Sequence, residues 1–173
     1  MIVALEGECQ ICWLPAFRPL LFLLTMSKIL IVEDDPMNCL VFSRVLAKRG
    51  NFQVRCTENV DDVLTTAQRE EVDIILMDIG LPNSFHEGKA VNGVQITQLL
   101  KANPTTAHLP IVLVTAFNMP GDRERYLKES GADGYIPKPV VDHEGFVAQV
   151  HHYMNQGKIP SACGGEDEQC SHC

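Results

Sequence analysis

Three short segments are apolar at every interior position: Lys28-Ile-Leu-Ile-Val32, Asp73-Ile-Ile-Leu-Met-Asp78 and Pro110-Ile-Val-Leu-Val-Thr115. A strand with one wet face alternates apolar and polar residues. A strand without alternation has to be covered on both faces, which points to a parallel sheet between helical layers. The intervening stretches fit that frame. Pro36 suits a first helical turn, where its missing N–H has no partner to lose. Met37, Val41 and Val45 then recur at intervals of four beside Phe42 and Leu46, and Gly50-Asn51 closes the helix. Phe52 to Cys56 reads as a strand. Asn59 caps a helix with Val60, Leu64 and Ala67 on one face, and Val94, Ile96, Leu99 and Leu100 mark a third, ending near Asn103-Pro104. Asp122 starts a fourth helix, which carries Tyr126 and Leu127 and stops at Gly131. Gly134-Tyr-Ile-Pro137 is a fifth strand, and Phe146, Val150 and Tyr153 stripe a last helix. Five strands alternating with five helices predict an α/β, doubly wound, five-stranded parallel sheet.

The chain has 173 residues, room for one such domain and short ends. The expected division is an N-terminal extension over 1–25, poorly ordered, a domain over 26–156 and a flexible tail over 157–173. The apolar stretch from Ile11 to Leu24 is broken by two prolines and Arg18 and is too short for a membrane span. The first ten residues hold Glu6 and Glu8 but no basic residue, so the flank of a signal peptide is missing. A floppy extension, or a natural start at Met26, is the expectation, with a membrane or partner anchor as the alternative. Cys9/Cys12 and Cys170/Cys173 form two C-x-x-C pairs that would offer four thiolates if the ends met, but their separation is unlike a compact zinc ribbon. With an odd total of seven cysteines, a reducing, cytoplasmic compartment is expected, and Cys39 and Cys56 read as small buried hydrophobes. The net charge of −8 argues against a nucleic-acid surface, and no membrane association is expected of the domain.

In a doubly wound sheet, ligands bind outside the carboxyl ends of the strands. The first strand ends in Glu33-Asp34-Asp35, the third in Asp78 and the fourth in Thr115, while Lys138 and Pro139 follow the fifth. A lone acid at a strand end is most often a solvated loop residue or a helix cap, and Asp35, next to Pro36, fits the cap. The set together is a chemical constellation. Glu33, Asp34 and Asp78 would repel one another by a few kcal/mol (roughly 4 at 4 Å and an effective dielectric near 20). Either one carboxyl stays protonated or a hard cation compensates, and Mg²⁺ suits carboxylates and phosphate oxygens. Asp78 is then the candidate nucleophile toward a phosphoryl group, with Lys138 and Thr115 placed to meet its outer oxygens.

These residues closely resemble the receiver domain of two-component response regulators. Lys28 to Asn38 resembles that family's first strand and acidic pocket, and Ile75-Leu-Met-Asp-Ile-Gly-Leu-Pro82 its phosphoacceptor segment. Val114-Thr-Ala116 resembles the switch segment, and Gly131 to Pro139 the segment bearing the family's lysine and switch aromatic. The resemblance runs in order from residue 28 to about 154. It implies a flavodoxin-like strand order, 2-1-3-4-5. It implies that Asp78 forms an acyl phosphate, that Asp34 ligates Mg²⁺ directly with Glu33 acting through water, and that the backbone carbonyl of Gly80 completes the metal shell. It also implies that Thr115 and Ala116 belong to the switch segment, that Tyr135 changes rotamer, that Lys138 pairs with a phosphoryl oxygen and that the Lys138–Pro139 bond is cis. For Tyr135 a plain core aromatic is an equal reading, and both can hold.

Two departures from the family pattern stand out. The interval from Pro82 to Gly93 is several residues longer than in the family, placing an insertion within Asn83 to Asn92 at the rim of the site. It either shields the phosphoryl group, offers a partner something to read, or is a tolerated surface insertion. Gly80 and Phe117 occupy positions that tune acyl-phosphate hydrolysis in the family, and neither can orient a water, so a long-lived phosphorylated form is expected. The implied function is a stand-alone switch, not an enzyme. A histidine kinase or His phosphotransfer protein would phosphorylate it, with output by contact with a downstream target protein, because too few residues follow the last helix for an output domain. Onward relay to a downstream His, or a phosphorylation-independent scaffold role, is the alternative. An Asp-nucleophile phosphatase would need an acid where Gly80 stands, and a flavin protein would need a phosphate-cradling loop where three acids stand.

Overall fold

A computed structural model describes residues 26–156; the expectations for 1–25 and 157–173, including both C-x-x-C pairs, lie outside the described residues. The strands are β1 (Lys28–Val32), β2 (Gln53–Thr57), β3 (Ile74–Met77), β4 (Phe85–His86), β5 (Lys89–Ala90), β6 (Ile111–Thr115) and β7 (Gly134–Pro137). The helices are α1 (Pro36–Gly50), α2 (Val60–Gln68), α3 (Gly93–Ala102), α4 (Asp122–Ser130) and α5 (His143–Gln156). Five strands make one parallel sheet in the order β2-β1-β3-β6-β7. Leaving out the β4–β5 pair, this is the flavodoxin-like 2-1-3-4-5 order.

Unbroken apolar runs are what a doubly covered sheet needs, and the two cores show why. Leu30, Val32, Ile75, Met77, Ile111, Leu113 and Tyr135 face α2, α3 and α4, whereas their neighbours Ile29, Ile31, Ile74, Leu76, Val112, Val114 and Ile136 face α1 and α5. Successive side chains of each strand are thus committed to opposite layers. The strands all end at one rim, and the topological switch between β1 and β3 opens the crevice there.

The helix punctuation follows local chemistry. Asp35 caps α1 by accepting the N–H of Met37 at 2.8 Å, and Asn59 caps α2 by accepting that of Asp62 at 3.0 Å. Asn51 takes the left-handed conformation (φ 54°) past the end of α1, and Gly131 does so past α4 (φ 73°). Asn92 and Gln95 form a reciprocal capping box on α3. Two expected helix faces shift. On α1 the inward residues are Phe42, Val45 and Leu46, leaving Met37 and Val41 outside together with Leu40. On α5, Val147 and Met154 join Phe146 and Val150 inside, and Tyr153 is only half-buried. A run of apolar residues broader than the contact stripe cannot say which edge of it faces the sheet.

The segment read as an insertion forms a two-stranded hairpin, β4–β5, with Phe85 opposite Ala90 and His86 opposite Lys89. Its two turn residues both have positive φ, Glu87 at 49° and Gly88 at 74°. That is the turn whose twist matches a tight hairpin. The hairpin is moored toward α2: Ser84 donates to the carbonyl of Glu58 at 3.3 Å, and His86 Nδ1 lies 3.5 Å from Asp61. Among the described residues, no helix is long and apolar enough to cross a membrane.

Candidate functional site

The acidic end of β1 and the end of β3 are held level by the sheet itself. The Asp78 N–H donates to the carbonyl of Val32 at 2.9 Å, continuing the β1–β3 ladder one residue past Met77. On the other side of β1, the Glu33 N–H donates to the Thr57 carbonyl at 3.2 Å. Glu33 and Asp78 are therefore pinned by backbone before their side chains do anything. Both are buried, at 5% and 8% exposure, whereas Asp34 is half-exposed.

Lys138 reaches these acids from the far edge of the sheet. Its own N–H donates to the Thr115 carbonyl at 2.8 Å, and the peptide that follows it, to Pro139, is cis. Its ammonium donates to Glu33 Oε2 at 2.6 Å and to Asp78 Oδ2 at 2.8 Å. The ammonium also lies over the Phe42 ring, 5.9 Å from its centre. Asn38 donates to Glu33 Oε1 at 3.1 Å, and the Gly80 N–H to Asp78 Oδ1 at 3.3 Å. Each buried carboxylate is thus met on both oxygens, which is what keeps ionised groups tolerable away from water.

Glu33, Asp34 and Asp78 each bring a carboxylate oxygen to within 4.8 Å of the other two. An all-oxygen donor set of this spacing, with one member open to solvent, fits a hard divalent cation that keeps part of its water shell. Thr115 is buried at the end of β6, its Oγ1 accepting the Phe117 N–H at 3.4 Å, and Ala116 is exposed beside it. Phe117 leans over Gly80: a Cβ there would lie 3.9 Å from the ring. The ring also sits 5.9 Å from that of Tyr126, and these residues wall a shallow notch with Leu81 and Pro82.

Tyr135 is 4% exposed, and its hydroxyl has no hydrogen-bond partner among the described residues. Burial pushes the phenol above its ordinary value, with further upward pushes from the Asp122 carboxylate and from Tyr126. A buried orphan hydroxyl costs on the order of 1–3 kcal/mol, so the inward rotamer carries a penalty that an outward, hydrated rotamer would not.

Two supporting residues were not singled out as functional from the sequence. Asn38 holds the Glu33 carboxylate. Gly93, the first residue of α3, lies against the Asp78 segment: a Cβ there would collide with the Asp78 carbonyl, and its N–H donates to the Ile79 carbonyl at 3.2 Å. A glycine directly after the capping Asn92 was the available signal. The pairing of Cys39 with Cys56 was also missed. The two are not small core hydrophobes but half-buried partners in a disulfide between α1 and β2, with Cα atoms 6.2 Å apart. Their spacing along the chain, 17 residues, says nothing until α1 is packed back beside β2.

The model for the response regulator receiver domain matches residues 29–151. The polar-differentiation response regulator DivK of Brucella anthropi is 37% identical over 114 residues, covering 66% of this chain and 85% of DivK. Its counterpart in Brucella ovis is 35% identical over the same span. Among solved structures, the chain is similar to the receiver domain of a Pseudomonas aeruginosa sensor histidine kinase with a magnesium ion coordinated in its active-site cleft. That likeness has a TM-score of 0.63 and 28% identity, covering 75% of this chain and 98% of that one. The BeF3-activated receiver domain of Klebsiella pneumoniae RstA gives a TM-score of 0.62 at 26% identity, covering 75% and 100%.

Two substitutions check this anatomy. Gly93→Ala should force the Asp78 segment away from α3, lowering stability by about 1–3 kcal/mol in denaturant titrations. Tyr135→Phe should be neutral or stabilising by up to about 1 kcal/mol, since it deletes an unpaired hydroxyl. The raised phenol favours the protonated fold, so the parent's stability should hold below the ordinary tyrosine value of 10.0 and fall as pH climbs through the higher folded value. In Tyr135→Phe that alkaline loss should shrink, as measured by unfolding between neutral and strongly alkaline pH.

Proposed function

The chain belongs to the response regulator receiver family, and we propose that within it this protein is a phosphorylation switch whose phosphoacceptor is Asp78. The carrying observation is the Lys138 ammonium lodged between Glu33 and Asp78, with Asp34 alongside. An Asp78 carboxylate oxygen attacks the phosphorus of a phosphohistidine on a kinase or His phosphotransfer protein. The O–P bond forms as the P–N bond to the donor imidazole breaks. Lys138 then exchanges a carboxylate partner for a phosphoryl oxygen, and Thr115, at the end of the neighbouring strand, supplies a hydroxyl to a second one. Asp34 and Asp78 are the residues to hold Mg²⁺, with Glu33 through water and the Gly80 carbonyl as the resemblance implies. The ion would supply charge neutralisation of the phosphoryl oxygens. A role as an enzyme acting on free substrates is disfavoured by Gly80, which offers no acid to protonate a leaving group.

Protein docking is supported by the α1 face. Met37, Leu40 and Val41 are 63%, 42% and 43% exposed on the first turns beyond the acidic pocket, a cluster the core does not use. A binding output, rather than rapid relay, is favoured by Phe117 over Gly80, since neither residue can aim a water at the acyl phosphate. A cytoplasmic location fits a switch fed by a kinase.

The test is incubation with a small acyl-phosphate donor and Mg²⁺, read by intact mass. The parent should gain one phosphoryl unit and Asp78→Asn none. Modification of both, or of neither, would overturn the assignment. After donor removal the phosphorylated parent should persist for minutes, and Phe117→Lys or Gly80→Glu should shorten that lifetime. Decay of the parent within seconds would contradict the expectation that Gly80 and Phe117 leave no group to orient the attacking water.

A further inference from the structure

We propose that Cys39 and Cys56 form a reversible redox clasp that tightens the acidic pocket. The consequence for the pocket rests on reading it as a Mg²⁺ and phosphoryl site, but the clasp itself does not. The two Cα atoms lie 6.2 Å apart, within the span a disulfide crosses without moving the backbone. Both residues are half-buried, so a small thiol or disulfide can reach them.

Their position gives the bond its meaning. Cys39 Sγ lies 3.8 Å from the Glu33 carbonyl oxygen, and the preceding residue, Asn38, holds the Glu33 carboxylate. Cys56 sits level with Ile31 of β1, and the following residue, Thr57, accepts the Glu33 N–H. The cross-link therefore ties together the residues next to Asn38 and Thr57, which grip Glu33 from opposite sides, and it anchors the chain just past the segment bearing Asp34. Tying these grips together removes freedom that the pocket would otherwise lose on binding a cation. Disulfides in a reducing compartment are usually transient and redox-sensing, which suits a clasp better than a permanent staple.

Closure proceeds by exchange with a low-molecular-weight disulfide such as that of glutathione. One cysteine thiolate attacks a sulfur of the small disulfide, forming a mixed disulfide and expelling one small thiolate. The second cysteine thiolate attacks the protein sulfur of the mixed disulfide and expels the other. The protein pair is oxidised by two electrons, the small disulfide is reduced to two thiols, and the two cysteine protons end on them. A dithiol runs the reaction backward.

The full chain, held in dithiothreitol or in excess glutathione disulfide, is the test. In the oxidised sample, tryptic digestion should yield a linked pair joining residues 29–44 to 56–69; reductant should release it and Cys39→Ser should lack it. Amide exchange over residues 33–39 should be slower in the oxidised form, by about tenfold or more, and identical between buffers in the Cys39→Ser/Cys56→Ser double variant. Mg²⁺, titrated calorimetrically, should bind the oxidised form several-fold more tightly. Absence of the linked pair, or unchanged exchange with the link formed, would overturn the clasp. Equal Mg²⁺ affinity in the two forms would overturn its coupling to the pocket. Failure of both forms to bind Mg²⁺ would count against the metal reading of the pocket, leaving the clasp decided by exchange.

Discussion

Everything at this site turns on one ammonium. Three carboxylates converge at the rim of the sheet, and two of them are buried. That concentration of like charge is tolerable only with a cation in contact. Lys138 supplies it across 105 residues of chain from Glu33 and 60 from Asp78. No local propensity could arrange such a meeting. It is produced by the sheet, which brings the ends of β1, β3, β6 and β7 to a common edge, and by the backbone bond between Lys138 and Thr115. A phosphoryl group on Asp78 would add charge where Lys138 already points, so the lysine's partners must be redistributed rather than newly recruited.

A switch of the kind proposed would also need an element poised between two arrangements. Tyr135 fits that requirement on physical grounds. Its ring fills the core formed with α2, α3 and α4, which favours the inward rotamer, while its hydroxyl is buried without a partner, which opposes it. Opposed terms of a kcal/mol or so are the condition for a small free-energy input to change the balance. Tyr135 lies on β7 three residues before Lys138 and opposite Leu113 of β6, two residues before Thr115.

Much of the fold was legible because apolar runs without alternation allow few architectures. Ile29 to Val32, Ile74 to Met77 and Ile111 to Thr115 are strands buried on both faces, and the polar residues after them fall at one rim because parallel strands share a direction. Caps at Asp35, Asn59 and Gly131 were legible for equally local reasons. What stayed hidden depended on tertiary proximity. Met37 and Val41 look like core on helical spacing, yet the sheet meets the other edge of that stripe. The β4–β5 hairpin was visible only as extra length, since Glu87 is not a residue that advertises a left-handed turn. The contact of Gly93 with Asp78 was signalled only by a glycine directly after the capping Asn92, and nothing in the spacing of Asn38 and Glu33, or of Cys39 and Cys56, points to their contacts.

The most direct measurement of the account is the Mg²⁺ affinity of Lys138→Met compared with the parent. If the ammonium is the cation that the acidic cluster already holds, removing it frees carboxylate oxygens of Glu33 and Asp78 and strips away a competing positive charge. Mg²⁺ should then bind the variant more tightly than the parent. An unchanged affinity, or no binding in either protein, would mean that these carboxylates and this lysine do not form the single electrostatic unit described here.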